Sequence, residues 1–184
     1  MIFNSHSDVV GQHAFLSASK YHWINYDTEK LTETWINSQA AKRGVELHAF
    51  AHEAIRLGIK LPRSTKTLNM YVNDAIGFRM ATEQVLFYSP NCYGTADTIS
   101  FARDVLRVHD LKTGVIDGSM HQLEIYAALF CLEYALKPGR IGMELRIYQH
   151  DEVVEFSPGV DVIAHLMSKI IVFDQHIENL KMRG

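Results

Sequence analysis

The spacing of apolar positions along this chain switches between helix and strand periods, and the switches place its elements. Over residues 34–57, Trp35, Ala41, Val45, His48, His52 and Ile55 fall at helical steps, and Gly58 follows as a stop. A loop over 61–65 leads to a second helix over 67–80, carried by Leu68, Tyr71, Val72, Ala75 and Phe78. Ahead of both, residues 15–19 read as a strand end or loop. They lead into a short helix over 20–26 with Ser17 or Ser19 as cap.

The period then shortens. Residues 83–88 read as a strand through Val85, Leu86 and Phe87, and Ser89-Pro90-Asn91 is turn chemistry. Strands follow over 93–101 and 105–111, joined at Ala102-Arg103-Asp104. The stretch from Gly114 to Gly118 breaks the pattern. An apolar helix over 119–136 stops at Pro138-Gly139, and 141–148 and 153–156 form a hairpin through His150-Asp151. Ser157 is predicted to cap a last helix with Pro158 in its first turn, reaching about Lys181.

This order predicts an α/β protein with a mixed central β-sheet flanked by helices on both faces. The crossover through 119–136 should be right-handed. No repeat, low-complexity run or linker interrupts the chain, so a single domain over 1–184 is expected. It would comprise a helical part over 17–80, an αβββαβ core over 67–156 and a C-terminal helix over 158–182.

Composition narrows the partners. The net charge of -3 supplies no global basic field, so nucleic acid would need local basic patches or metal ions. Cys92 and Cys131 are too few for a disulfide framework or a four-cysteine iron–sulfur cluster. The opening residues carry no basic, apolar leader, and no apolar run nears the roughly 20 residues of a membrane helix. A soluble cytoplasmic protein is expected.

Asp110-Leu111-Lys112 is the first candidate for chemistry. Carboxylates at a strand end hold Mg2+ or Mn2+, hard cations that prefer oxygen ligands. A lysine two residues on shares the strand face and can stabilise charge on a transferring phosphate. Alone, the triplet is a weak signal and reads as an exposed, self-paired Asp-x-Lys. Asp97 strengthens it, because the hairpin folds Gly94-Thr95-Ala96-Asp97 back beside Asp110, and antiparallel neighbours lie about 5 Å apart. Two such carboxylates repel unless a cation lies between them. Asp97 could otherwise cap a turn. Glu83, one strand earlier, is either a third acid or a solvated strand start. His48 and His52 stand one helical turn apart, and spacing alone makes them partly buried core residues. A zinc-protease motif needs glutamate directly after the first histidine, whereas Glu53 follows the second. Gln122 and Tyr126 share one helix face after Lys112. They could contact a phosphate or order a metal-bound water, or be a surface glutamine and a core tyrosine.

Together these residues resemble the RecB-like, phage-type exonuclease branch of the PD-(D/E)XK nuclease superfamily, over most of the chain. Leu16-Ser17-Ala18-Ser19 followed by Trp23 is similar to its opening motif, and Gly44-Val45-Glu46-Leu47-His48 to its Gly-x-x-x-His helix motif. Gly94-Thr95-Ala96-Asp97 resembles its Gly-x-x-Asp strand. Asp110-Leu111-Lys112-Thr113-Gly114 matches its Asp-x-Lys-Thr-Gly, and Gln122 to Tyr126 its closing Gln-x-x-x-Tyr. The resemblance implies that His48, Asp97, Asp110 and the Leu111 carbonyl bind metal. It makes Lys112 the catalytic lysine and lets Gln122 and Tyr126 position DNA or the metal water, with His52 in support. The implied reaction is Mg2+- or Mn2+-dependent hydrolysis of DNA phosphodiesters, from ends, in recombination, repair or phage DNA metabolism.

The chain lacks the four cysteines of cluster-bearing relatives and any Gly-x-x-x-x-Gly-Lys-Ser/Thr loop, so a stand-alone nuclease is expected. Expected partners are DNA, further copies of the chain, and a single-strand annealing or other recombination protein. Candidate DNA contacts are Lys42, Arg43, Arg63 and Lys66, with Arg103 and Arg107 on the strands. Taken singly, each reads as a solvated surface charge. Two alternatives stay open: a structure-specific endonuclease of the same fold, and a non-catalytic DNA-binding or assembly protein.

Overall fold

Asp27 sets the start of the longest helix. Its Oδ1 accepts the Lys30 N–H at 2.7 Å, and its carbonyl accepts the Leu31 N–H at 3.0 Å. Helix α1 therefore spans Thr28–Leu57, beginning ahead of the apolar repeat, since a cap rather than periodicity starts it. The computed structural model describes residues 5–183. The chain divides between Arg43 and Gly44 into two compact units.

In the first unit, Phe15 meets Trp35 edge to face with ring centres 5.0 Å apart. The segment Ala18–Asn25 is 3-10 rather than α-helical, kinked at Lys20. Ser17 does not cap it: its hydroxyl pairs with that of Ser19, and its carbonyl accepts the Trp23 indole N–H at 2.9 Å.

In the second unit, Gly58 takes φ +68 to end α1, with the Ile59 N–H returning to the Ala54 carbonyl. Helix α2 spans Thr67–Gly77, stopping short of the predicted Met80. Arg79 turns left-handed there (φ +54), and the Met80 N–H bonds the Ala75 carbonyl. No glycine marks that cap, so the pattern could not announce it.

Five strands follow: β1 Ala81–Ser89, β2 Cys92–Ala102, β3 Val105–Leu111, β4 Gly142–Gln149 and β5 Glu152–Phe156. They lie side by side in chain order, all antiparallel except β3 and β4. Of the two-residue turns, Arg103-Asp104 and His150-Asp151 have positive φ throughout, which suits the twist of hairpin strands. Helix α3, Met120–Glu133, crosses from β3 to β4 and is capped by Ser119. It ends where Ala135 turns left-handed, before Pro138 is reached. Helix α4 spans Val160–Lys181, with Gly159 at its cap. Ser157 therefore does not cap it, because the N-cap falls two residues later at the extended Gly159.

Strand alternation builds a core on each face of the sheet. Leu106, Val108, Leu145 and Ile147 pack with Leu123, Ala127 and Phe130 of α3 and Ile163 of α4. Leu111 and Tyr148 pack instead with Ala51 and Ile55 of α1 and Tyr71 and Val72 of α2. The fold is thus α/β, a mixed five-stranded sheet flanked by helices. Among the described residues, no helix is long and apolar enough to cross a membrane.

Candidate active site

The β1–β2 ladder lapses at one place. Thr82 pairs with Thr98 and Gln84 with Ala96, so Glu83 and Asp97 stand opposite each other outside the pairing. Glu83 takes φ +51, a conformation that is strained for a glutamate. The β2–β3 ladder also ends one step earlier, at Thr98 and His109. The Leu111 N–H just beyond donates to Asp97 Oδ2 at 3.0 Å. The Asp97 carboxylate thus takes a bond that a strand backbone would otherwise supply, and it closes the β2–β3 edge beside Asp110.

Asp110 is almost fully buried on the α3 side of β3. Burial, then the charge of Asp97, raises its carboxyl to a pKa of about 6, although Lys112 and His48 pull the other way. Lys112 Nζ donates to Asp110 Oδ1 at 3.1 Å and to Gln122 Oε1 at 3.0 Å. Gln122 Nε2 donates to the Tyr126 hydroxyl at 3.1 Å, which donates to the Thr95 carbonyl at 2.7 Å. One chain of hydrogen bonds therefore runs from the buried carboxylate, through the amine, to the backbone of β2. His48 joins from α1, with Nδ1 3.6 Å from Asp97 Oδ2. The buried Nδ1 of His52 has no hydrogen-bond partner.

The glycines of these motifs act by closeness. A Cβ on Gly94 would stand 2.9 Å from Tyr126 Cε1, and one on Gly44 2.7 Å from Thr113 Oγ1. Real Cβ atoms do not approach so closely, so Gly94 seats the Tyr126 ring against β2 and Gly44 seats α1 against the loop after Lys112.

Several contributors carry no motif. Gln149, at the end of β4, donates to the Gly114 and Ile116 carbonyls, both at 2.8 Å, and accepts the Gly118 N–H at 2.9 Å. It fastens the whole loop between Lys112 and α3. Tyr71 of α2 is buried, and its phenol is held well above the ordinary range by burial, then by the charges of Asp97, Asp110 and Glu83. Glu83 itself is exposed at its place opposite Asp97. A lone buried Tyr or Gln gives no sequence signal, because its partners lie far away along the chain.

The basic residues are dispersed. Lys42 and Arg43 are exposed in the first unit. Arg63 is exposed in the loop before α2. Lys66 is already paired with Asp151 at 2.6 Å, tying the start of α2 to the β4–β5 turn. Arg107 lies on the sheet face opposite Asp110, bonded to Glu144 and stacked over Phe78. Arg103 occupies the far turn of β3, roughly 20 Å along the strand from Asp110.

Among the described residues, no three His, Cys, Asp or Glu side chains stand ready as a metal cage. The Lys112 ammonium instead stands against Asp110. The donors nonetheless suit a divalent cation. Asp110 Oδ2 lies 2.9 Å from Lys112 Nζ but off its hydrogen-bonding direction, and it is buried without a hydrogen bond. With Asp97 and His48 this makes an oxygen-rich set of the kind hard cations take.

No protein-family model matches the chain, and no curated protein or solved structure matches it either.

Proposed function

We propose that this chain is a Mg2+- or Mn2+-dependent deoxyribonuclease of the RecB-like PD-(D/E)XK type, acting as an exonuclease. One observation carries the reading. Lys112 links the buried Asp110 to Gln122 and Tyr126 beside Asp97 and His48, so α1, β2, β3 and α3 each bring a polar group to the same place.

His48, Asp97 and Asp110, with the Leu111 carbonyl, would hold the ion. Such an ion lowers the pKa of its water and offsets charge on the phosphate. Lys112 places a cationic donor where charge grows on the phosphoryl oxygens, and Gln122 fixes the direction of that donor. Tyr126 in turn fixes Gln122 against β2. The net charge of -3 leaves DNA affinity to the ion and to single cations such as Arg63.

The test is digestion of end-labelled linear DNA, single- and double-stranded, with Mg2+, Mn2+ or EDTA. Wild type is run beside Lys112→Ala, with covalently closed circular DNA as control. The reading expects metal-dependent loss of linear DNA only, absent from the variant. Cutting of the circle would make the protein an endonuclease. Metal-independent binding without any cleavage would make it a non-catalytic DNA-binding protein.

A further inference from the structure

The loop that carries Lys112 into α3 presents an unusual tip. Val115 and Ile116 are 90% and 85% exposed, more than any other large apolar residue among those described. Scattered apolar residues on a surface are ordinary. These two are adjacent, and Gln149 bonds to the carbonyls on either side of Val115 and to the Gly118 amide. A fastened backbone with bare β-branched side chains is a preformed apolar edge, and ordering it on binding loses little entropy.

Its position and charge say what it meets. The loop leaves directly from Lys112, and the Gly118 backbone packs on the Lys112 stem. Between Lys112 and Met120 the one charged residue is Asp117, an acid that repels phosphate. The tip therefore does not track the DNA backbone. The apolar surface that a nucleic acid offers beside a phosphate is the face of a base, available at a strand end or in a single strand and hidden inside continuous duplex.

We propose that Val115 and Ile116 pack against the free face of a nucleobase next to the phosphate held at Lys112, a contact that favours strand ends and single strands over continuous duplex. This rests on the nuclease reading above. The contact is independent of base identity, since every base has such a face.

The experiment measures binding by fluorescence anisotropy with Ca2+ in place of Mg2+, an oxygen-seeking cation that fills the carboxylate site while cleavage, scored in parallel, is held off. Wild type and Val115→Ser/Ile116→Ser are each titrated with a labelled single-stranded oligonucleotide and with its abasic counterpart. The expected result is about tenfold weaker binding of the intact strand by the variant and equal binding of the abasic strand by both proteins. Equal losses on both strands, no loss on the intact strand, or no binding by wild type would each overturn the proposal. A variant that changes oligomeric state in light scattering would also overturn it, assigning the edge to a second copy of the chain. Cleavage by wild type in Mg2+ is scored separately. Base-dependent binding without cleavage would keep the base contact and remove the nuclease.

Discussion

Gly118 lies so close to Lys112 that a Cβ at position 118 would stand 2.9 Å from Lys112 Cγ and 3.2 Å from a methyl of Ile147. The amine of the candidate site is thus aimed from two sides, by hydrogen bonds at its head and by bare backbone along its stem. Gly118→Ala should push the stem aside at a stability cost of about 1–2 kcal/mol. DNA cleavage should fall about tenfold or more, because a displaced donor no longer faces the phosphate. Single-turnover cleavage beside thermal melting separates the two effects.

Lys112→Ala should lower cleavage by about 100-fold or more while Mn2+ binding survives. Asp110→Asn should lose metal affinity and cleavage together. Titration calorimetry with Mn2+ checks both, and tight Mn2+ binding by Asp110→Asn would contradict the ligand assignment.

Two buried groups give opposite pH dependence. Asp110 is raised from 3.8 to about 6, so the folded state holds its proton more tightly than the unfolded chain. The associated stability is full below pH 3.8 and is lost as pH rises through about 6. His109 is lowered from 6.5 to about 3 by burial, then by the charges of Arg146 and Arg107. Its contribution is full above pH 6.5 and is lost as pH falls towards 3. The two slopes oppose each other between about pH 4 and 6. Asp110→Asn should therefore leave the His109 slope unopposed. Its melting temperature should climb more steeply with pH across that window than that of wild type. Parallel melting curves for the two proteins would contradict the shift assigned to Asp110.

Gln149→Ala removes three hydrogen bonds from the loop between Lys112 and α3. We expect a loss of about 2 kcal/mol, since the freed carbonyls can reach water. The Gly118 amide should lose its protection in hydrogen exchange, and cleavage should fall with it. An unchanged Gly118 amide would show that the loop holds itself.

His48→Ala should weaken Mn2+ binding with a stability change below about 1 kcal/mol, since its side chain is one-third exposed. If the variant instead melts several degrees lower with metal affinity intact, His48 is a packing residue.

Much of the architecture was legible from local chemistry. The strands at 83–88, 93–101 and 105–111 and both turns between positive-φ residues follow from short-range pattern and turn residues. Asp110-Leu111-Lys112 and Gln122 to Tyr126 were visible for the same reason, because a strand period of two and a helix step of four are local rules. Boundaries set by non-glycine caps were hidden. Arg79 and Ala135 turn left-handed because the following chain must enter β1 and β4, not because their own side chains favour it. The lapse of the ladder at Glu83 and Asp97 and the fastening of the Lys112 loop by Gln149 were hidden, because backbone irregularity and long-range contacts leave no local pattern. Local sequence rules set which groups are present and on which element they lie. Only the tertiary structure decided which of them meet. Burial then set what each meeting does, raising Asp110, aiming Lys112 and engaging Lys66 and Arg107 elsewhere, because desolvation and contact arise only when distant segments pack.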